Sequence, residues 1–398
     1  MRIGIFGGTF NPPHNGHVTI ARAAVTQLGL DKLLIVPACV PPHKPLPSGV
    51  TAGQRYDMAA LMAAPVGRCA EASDMELHRT GKSYTSDTLV QLQQEYPDAE
   101  LWLLMGSDMF LSLHTWHEPE VICRIARIAA FRRVEEDIRA AMERQKQRLE
   151  QRYQAQVTLL ENPELIELSS TDVRAALAEG RGSGLVPAAV WGYIQREHLY
   201  GTATDLKHLT PDALRPIAMS YLKPKRMTHV LGTEATAVKL AKQYGADETE
   251  ARVAALLHDC TKKLDMDQQL ALCRQSGLEL DELEQQALKL LHSRTGAAIA
   301  RDVFGVSDAV YSAIRFHTTG KPHMTLLEKI LYLADYMEPT RDFDGVEHLR
   351  EVVRQDIDRG LLLGLTMTIE EMREMGNPIH HLTLDAQRYL IEQGVKQV

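Results

Sequence analysis

The sequence is poor in cysteine and has no paired thiols. Five cysteines are scattered over 398 residues without a C-x-x-C pair: Cys39, Cys69, Cys123, Cys260 and Cys273. This spacing argues against a disulfide framework and against a zinc–thiolate site. It favours reduced thiols in a cytoplasmic protein.

Long apolar runs and an excess of positive charge are also missing. No run reaches the roughly 18 apolar residues of a membrane span, and the opening "MRIGIF" is too short for a signal-peptide core. The net charge of −8 gives no basis for bulk attraction to nucleic acid or to a membrane surface. We expect neither as a partner, whereas a homo-oligomer is compatible with this composition.

The sequence is long enough for two domains, and its two halves differ in the secondary structure that their apolar patterns predict. Up to about residue 200, short β-type runs alternate with helical segments; the runs are "RIGIF", "KLLIVPACV", "ELWLLMG", "RIARIAAF" and "VTLLENPELIEL". Consecutive apolar residues are typical of strands buried on both faces, and the alternation favours a parallel sheet flanked by helices. The charged segment 134–156 predicts a solvated helix.

The second half is helical almost throughout. The segment "GTATDLKHLTPDAL", residues 201–214, predicts a linker between a domain over 1–200 and an all-α domain over 215–398. Asp247 with Glu250 predicts the start of one amphipathic helix, and Pro339 the end of another.

The stretch "GIFGGTFNPPHNGH" places two histidines behind a glycine turn. A strand, the turn at Gly7 and Gly8 and a following helix present free backbone N–H groups to a phosphate, and the glycines admit close approach. His14 and His17 are three residues apart, so they can face the same way and donate hydrogen bonds to that phosphate. Taken alone, such a pair is more often an ordinary loop and helix start.

In its context the stretch resembles the HxGH signature of the nucleotidyltransferase superfamily, which has a Rossmann-like α/β fold. The resemblance implies nucleotide contacts by Gly7, Gly8, Thr9 and Phe10. A second stretch, "LSSTDVR", resembles the ISSTxxR motif of the same superfamily, which grips the ATP phosphates. The implied contacts there are Ser169, Ser170, Thr171 and Arg174, whose guanidinium suits phosphate.

Four more stretches look like nicotinate mononucleotide adenylyltransferase: "VPACVPPHK", "KSYTSDTL", "LLMGSDMF" and "LHTWHEPEVI". The resemblance implies that Trp116 stacks on the pyridine ring, that the region of Thr85 contacts its carboxylate, and that Asp108 borders the ribose. Further implied substrate contacts are Gly106 and Arg133, with Arg132 as the alternative. Nicotinamide mononucleotide and phosphopantetheine are alternative acceptors, and Trp116 with Thr85 favours the nicotinate form.

The implied reaction is attack of the nicotinate mononucleotide phosphate on the α-phosphorus of ATP, which releases pyrophosphate. This nucleophile is already ionised at neutral pH, so the site needs no general base. We expect positioning and charge neutralisation by His14, His17, Lys44 and Arg174, with Mg²⁺ bridging ATP oxygens.

The helical half contains metal-type ligands within apolar runs: "AALLHDCTKK", "LKLLHSRTG" and "ILYLADYMEP". An aspartate in such a run is costly to bury unless it is paired. The order H…HD…D, with two further histidines, is that of a binuclear HD-domain phosphohydrolase; the candidate ligands are His229, His258, Asp259, His292, His317 and Asp335. Nitrogen and oxygen donors alone suit iron, manganese or cobalt. Any one of these histidines alone would be an ordinary core or surface residue.

The wording "ALLHDCTKK", "AIRFHTTGK" and "TLLEKILYLADYMEPTRDFDGV" resembles the YqeK-type HD family, which hydrolyses diadenosine tetraphosphate symmetrically to two ADP. The resemblance implies that a hydroxide bridging the two metals attacks a phosphorus, with Asp259 at the catalytic centre. Candidate phosphate contacts are Lys262, Arg315, Lys321 and Arg341. The stretch "LLHSRTGA" departs from the family pattern after its histidine.

Two other interpretations of the helical half stay open. It is either a phosphohydrolase for another nucleotide or a metal-stabilised regulatory module. A basic cluster of Arg215, Lys223, Lys225 and Arg226 would suit RNA, but it lacks interleaved aromatics beyond Tyr221.

Overall fold

A parallel sheet organises the first half of the chain. The computed structural model describes residues 1–40, 49–79, 81–131, 136–161 and 168–396, and the chain divides into two compact units, Met1–Ala203 and Thr204–Val398. The strands of the first unit are β1 (Arg2–Gly8), β2 (Lys32–Pro37), β3 (Ala70–Ala72), β4 (Glu100–Met105), β5 (Arg127–Phe131) and β6 (Val157–Leu160). All the pairings are parallel, in the order β3-β2-β1-β4-β5-β6.

Each of the five predicted apolar runs contains one strand of this sheet. Among the strands of the described residues, only the short edge strand β3 was not anticipated, because its sequence "AEA" has no apolar run. The strand order changes direction at β1, which pairs with β2 on one side and β4 on the other. In open α/β sheets such a switch point leaves a crevice at the carboxyl ends of the strands, where ligands bind.

Helices flank this sheet as predicted for an α/β unit. They are α1 (Asn15–Leu28), α2 (Ala52–Val66), α3 (Thr85–Glu95), α4 (Ser107–Ser112), α5 (Pro119–Ile125), α6 (Glu136–Tyr153), α7 (Ser170–Ala178) and α8 (Ala188–Arg196). The predicted solvated helix is α6, but it is not solvated all round. Met142 and Leu149 are fully buried against the sheet core, so its sparse apolar residues form a real contact face.

The second unit is all-helical over its described residues, as predicted. Its helices are α9 (Pro211–Ser220), α10 (Pro224–Tyr244), α11 (Glu248–Leu257), α12 (Met266–Gln275), α13 (Leu288–Asp302), α14 (Asp308–Phe316), α15 (Leu326–Met337), α16 (Val346–Gln355), α17 (Ile357–Glu374) and α18 (His381–Glu392). The last four residues of the predicted linker are already helical, because Thr210 caps α9.

Helix ends in this unit place the functional residues. Asp247 caps α11 through the N–H of Glu250, as predicted. This helix stops at Leu257, so His258 and Asp259 lie in the turn that follows it. The predicted stop before Pro339 is confirmed, since α15 ends at Met337.

Candidate active sites

The loop after β1 brings His14 and His17 together at the start of α1. The backbone N–H of His14 donates to Nδ1 of His17 at 3.1 Å, and the ring centroids are 3.7 Å apart. Nδ1 of His14 is buried and has no hydrogen-bond partner within the described ranges. An orphaned buried nitrogen of this kind is typical of a site that a ligand completes.

Both imidazoles are neutral in the free protein at pH 7. Burial lowers the pKa of His14 to about 4. Burial, and then the neighbouring His14, hold the pKa of His17 well below its ordinary value. The pair therefore acts first as hydrogen-bonding groups, and a bound phosphate would raise both pKa values toward the charged form.

The turn beside these histidines leaves one glycine open and covers the other. Phe10 is buried and has a left-handed φ of 49°. Its ring lies over Gly8, where a Cβ would come within 2.9 Å of the ring carbons. A Cβ on Gly7 would meet no described atom within 4 Å. The chain thus keeps a free surface at the end of β1, next to the partly exposed Thr9.

The second predicted motif docks on this same loop. The guanidinium of Arg174 donates from Nη1 to the backbone oxygen of Asn11 at 2.7 Å, and Ser170 Oγ donates to the backbone oxygen of Pro12 at 3.1 Å. These contacts span more than 150 residues of sequence. The start of α7 is therefore held beside the start of α1.

The remaining hydroxyls of that motif organise the start of α7. Ser169 caps the helix by accepting from the N–H of Asp172 at 3.1 Å. Thr171 Oγ1 accepts from Nη2 of Arg174 at 3.0 Å, which orients the guanidinium. Two helix N-termini with their free N–H groups thus meet at the crevice, an arrangement suited to anions.

The predicted acceptor residues lie on the loops after β4 and before α3. Gly106 precedes α4, and Asp108 is exposed in the first turn of that helix. Trp116 is half-buried, and its Nε1 donates to Ser112 Oγ at 3.3 Å. Thr85 opens α3. The neighbours of Thr85 and Trp116 connect the two loops, since the ring centroids of Tyr84 and His117 lie 4.3 Å apart.

Trp116 has both a packing contact and an accessible part. It packs against the sheet core while remaining partly exposed. The predicted sites Lys44 and Arg133, with the alternative Arg132, lie outside the described residues.

Arg55 is a site-region residue that the sequence analysis missed. This arginine is completely buried. Its guanidinium donates to the backbone oxygens of Thr9 at 3.0 Å, Ala38 at 2.6 Å and Cys39 at 2.9 Å. Burial lowers its pKa. Arg55 thereby ties the loop after β1 to the loop after β2, and no local pattern predicts this role because its partners lie 16 to 46 residues away in the sequence.

In the second unit, the six predicted ligands converge from five segments. His229 comes from α10, His258 and Asp259 from the turn after α11, His292 from α13, His317 from the end of α14 and Asp335 from α15. These ligands include two groups of three residues, and within each group the donor atoms lie within 4.8 Å of one another. The groups are His229, His258 and Asp335, and His258, Asp259 and His317.

Asp259 lies between the two ends of this cluster. Its Oδ2 is 3.5 Å from Nε2 of His258 and 3.9 Å from Nε2 of His229. Its Oδ1 is 3.3 Å from Nε2 of His292. Asp335 Oδ1 lies 3.0 Å from Nε2 of His229. This carboxylate thus directs Oδ2 toward His229 and His258 and Oδ1 toward His292, the arrangement of a bridging ligand.

The protonation states of the cluster suit cations. Burial lowers the pKa values of His258, His292 and His317. Burial alone would raise the pKa of Asp259, but His258, His292 and Lys262 hold it well below its ordinary value. Burial opposes ionisation of Asp335 too, and His229 leads the groups that hold its pKa well below normal.

The residues therefore fit a metal group. His258 and Asp259 are both completely buried. Yet Nε2 of His258 and Oδ1 of Asp259 have no hydrogen-bond partner in the part of the chain that is described. The lowered pKa values of His258, His292 and His317 and the ionised state of Asp259 leave lone pairs available at this buried centre, as metal binding requires.

Three cations surround this cluster. Arg226 Nε donates to Asp259 Oδ2, Lys262 Nζ lies 2.9 Å from Nε2 of His292, and Arg341 Nη2 donates to Asp335 Oδ1 at 2.9 Å. All three are partly exposed.

Arg226 was anticipated only as part of an RNA-type basic cluster. That cluster is divided in the fold, because Arg215 pairs with Glu234 while Arg226 faces the histidine–aspartate centre. Two further cations predicted as phosphate contacts have other partners. Lys321 pairs with buried Glu328 at 3.2 Å, and Arg315 lies over the ring of Phe316.

Comparison with known proteins defines two classes within the chain. Residues 5–176 match the cytidylyltransferase-like family and residues 226–340 match the HD domain family. A probable nicotinate-nucleotide adenylyltransferase of Neisseria meningitidis serogroup C is 39% identical over 201 residues, 50% of this chain and 98% of the relative. The symmetrical bis(5'-nucleosyl)-tetraphosphatase of Halalkalibacterium halodurans is 40% identical over 177 residues, 43% of this chain and 91% of the relative.

One solved structure resembles the second half. It is a predicted HD superfamily hydrolase involved in NAD metabolism from Clostridium acetobutylicum, 41% identical, with a TM-score of 0.45, covering 46% of this chain and 98% of the other.

The first half of the chain therefore belongs to the nicotinate-nucleotide adenylyltransferase family and the second to the symmetrical bis(5'-nucleosyl)-tetraphosphatase family. These matches confirm both predicted resemblances. They also confirm the α/β and all-α fold classes and the two predicted enzyme classes. The chain is a bifunctional enzyme of nucleotide metabolism, and its HD match implies a divalent metal. Within the described ranges, no helix combines the length and apolar character needed to cross a membrane.

Proposed function

We propose that the first unit transfers the adenylyl group of ATP to nicotinate mononucleotide, and that the second cleaves diadenosine tetraphosphate symmetrically to two ADP. The observation that carries the first activity is the docking of α7 on the loop that begins α1 at the switch point of the sheet. The observation that carries the second is the convergence of buried histidine nitrogens and aspartate oxygens from distant helices.

In the transferase, the chain contributes position and hydrogen bonds. His14 and His17 donate to the phosphates over the turn, and Gly7 leaves room for the nucleotide backbone. Arg174, fixed by Asn11 and Thr171, balances charge on the phosphates that leave as pyrophosphate. Mg²⁺ enters with ATP. Because the acceptor phosphate is ionised at neutral pH, no side chain has to remove a proton.

Acceptor choice depends on the loops around Trp116 and Thr85. An accessible tryptophan face stacks on a pyridine ring of either acceptor form. The N-terminus of α3, which Thr85 opens, favours a carboxylate over a neutral amide because the helix dipole is positive there. Nicotinate is therefore preferred over nicotinamide.

A direct test supplies ATP and Mg²⁺ with nicotinate mononucleotide, nicotinamide mononucleotide or phosphopantetheine, and separates the products. Deamido-NAD with equimolar pyrophosphate is expected from the nicotinate substrate. His17→Asn should lose most of this activity, whereas His78→Asn, an exposed histidine of the same unit, should keep it. Faster turnover of either other acceptor would refute the assignment.

In the hydrolase, the six histidine and aspartate ligands would hold two metal ions, and the donor set suits iron, manganese or cobalt. Such ions activate water and neutralise charge on phosphate. The chain's own contribution is the ring of Arg226, Lys262 and Arg341, which binds the anionic tetraphosphate and orients it over the centre. Elemental analysis of the purified chain identifies the bound metal.

Product analysis tests the hydrolase. The metal-loaded chain is incubated with diadenosine tetraphosphate beside a His258→Ala variant. ADP as the single product from the wild type, and none from the variant, is expected. AMP plus ATP would mean asymmetric cleavage and a different binding position of the phosphates. No turnover with any of the three metals would refute this substrate in favour of another nucleotide or a regulatory module.

A further inference from the structure

Glu338 is a completely buried carboxylate directly behind the metal-ligand cluster. It follows the last residue of α15, three positions after Asp335. Its Oε1 lies 3.0 Å from Nδ1 of His229, while Asp335 Oδ1 lies 3.0 Å from Nε2 of the same ring. The imidazole of His229 is thus held between two carboxylates, one in the cluster and one behind it.

Two other histidines of the cluster are oriented without a side-chain partner. His258 and His317 directly follow helices, and their Nδ1 atoms lie 2.7 and 2.6 Å from the backbone oxygens of Ala255 and Ile314. Carbonyls in the last turn of a helix lack an intrahelical donor, so they can accept from an imidazole N–H. Each of these rings therefore carries its proton on Nδ1 and turns Nε2 toward the centre.

His229 cannot use that arrangement. It lies inside α10, where the carbonyls of the preceding turn already accept helical hydrogen bonds. Its Nδ1–H needs an acceptor from another part of the chain, and Glu338 supplies one from 109 residues away. Without that acceptor the ring could keep its proton on Nε2 and donate it to Asp335 Oδ1, 3.0 Å away, which would leave no lone pair on Nε2 for a metal ion.

Glu338 is held too firmly to serve as a ligand. Its Oε2 accepts from the backbone N–H of Thr340 at 2.7 Å, and its Oε1 accepts from the Thr340 hydroxyl. Gly232, one turn after His229, makes room for it, because a Cβ there would collide with Oε2 and lie 3.3 Å from Cδ. Thr340 therefore engages both carboxylate oxygens, and the contact of Oε1 with the cluster is to the far nitrogen of His229, Nδ1.

We propose that Glu338 is a positioning residue that fixes the Nδ1–H form of His229 and so creates the metal site made with His258 and Asp335. The inference rests on the proposed metal-dependent function of this unit. Outer-shell partners of metal-binding histidines typically account for 10- to 100-fold in metal affinity.

The test is metal binding by the full chain, measured without any substrate. Chelator-stripped protein is titrated with Mn²⁺ and followed by calorimetry, and Glu338→Gln is compared with the wild type. Glutamine keeps the side-chain volume but places an amide N–H₂ against one of the groups from which Glu338 accepts a hydrogen bond. We expect two bound equivalents in the wild type and a roughly 10- to 100-fold weaker affinity for one of them in the variant.

Glu328→Gln is the matched control, because Glu328 is a buried glutamate of α15 whose carboxylate accepts from the backbone N–H of Thr325 and pairs with Lys321. The metal affinities of this variant should equal those of the wild type. Gly232→Ala, which displaces Glu338 from the other side, should reproduce the metal-affinity defect of Glu338→Gln. If Glu338→Gln does not fold, Gly232→Ala tests the inference in its place. Unchanged affinities in both folded variants would overturn the inference alone. Absence of metal binding by the wild type would overturn the proposed metal function together with it.

Discussion

The buried histidine at the start of α1 predicts a specific dependence of stability on pH. His14 is 6% exposed, and burial lowers its pKa from 6.5 to about 4. An unfolded chain binds a proton at this residue near pH 6.5, whereas the folded chain does so only near pH 4. Folding stability linked to His14 is therefore complete above pH 6.5 and is lost as the pH falls toward 4.

The size of this effect follows from the two pKa values. Between pH 7.5 and 5.0, the proton linkage of His14 should lower the free energy of unfolding of the first unit by about 2 kcal/mol. His14→Asn removes the titrating group but keeps a residue favoured before a helix, so its helix start is not penalised. The wild type should therefore lose about 2 kcal/mol more than the variant over this interval.

Urea unfolding followed by tryptophan fluorescence measures this difference in the full chain. All three tryptophans, Trp102, Trp116 and Trp191, lie in the first unit, so their emission reports on it alone. His78→Asn, which alters a largely exposed histidine, should lose as much stability as the wild type does. Equal losses in wild type and His14→Asn would refute the assignment of a buried, neutral His14.

Three other perturbations have defined outcomes. Arg55→Met should lower the stability of the first unit by about 2–4 kcal/mol in the same urea assay, because three part-buried backbone oxygens lose a completely buried donor. Trp116→Ala should raise KM for nicotinate mononucleotide about tenfold or more in steady-state kinetics, since stacking on an aromatic ring contributes about 1–3 kcal/mol. Chelator treatment should abolish tetraphosphate hydrolysis, while adenylyl transfer should return with Mg²⁺ alone.

Each of these outcomes has its own control. Arg68→Met, at a position outside the helices, should leave the urea midpoint within error, and an equally stable Arg55→Met would show that the three oxygens need no donor. An equal rise in KM for ATP in Trp116→Ala would contradict stacking on the pyridine ring. Full hydrolysis after chelation would contradict a metal requirement.

The sheet of the first unit was predictable because its strands are buried on both faces. The sequences of such strands are nearly continuous apolar runs, and β1, β2, β4 and β5 each correspond to one. β3 has three residues and no apolar run, so only pairing with β2 makes it a strand. The buried face of α6 was likewise hidden, because its few apolar residues are dispersed in a highly charged segment.

Ligand types were predictable in the second unit, but their supports were not. The candidate metal ligands are recognisable because histidine and aspartate are unusual inside apolar runs. Glu338, Arg226 and Arg55 looked like ordinary charged residues, since their partners are 109, 33 and 46 residues away. Their roles depend on contacts that exist only after folding.

The sequence by itself determined the two fold classes, the two motif pairs and the residue types of both candidate sites, because these follow from local apolar patterns and from chemically distinctive side chains. Tertiary structure alone decided how the histidine rings are oriented, which carboxylate lies among the histidines and which lies behind them, and how Arg174 and Arg55 fix the loops. These properties are set by distances between residues far apart in the chain, and no local pattern encodes such distances.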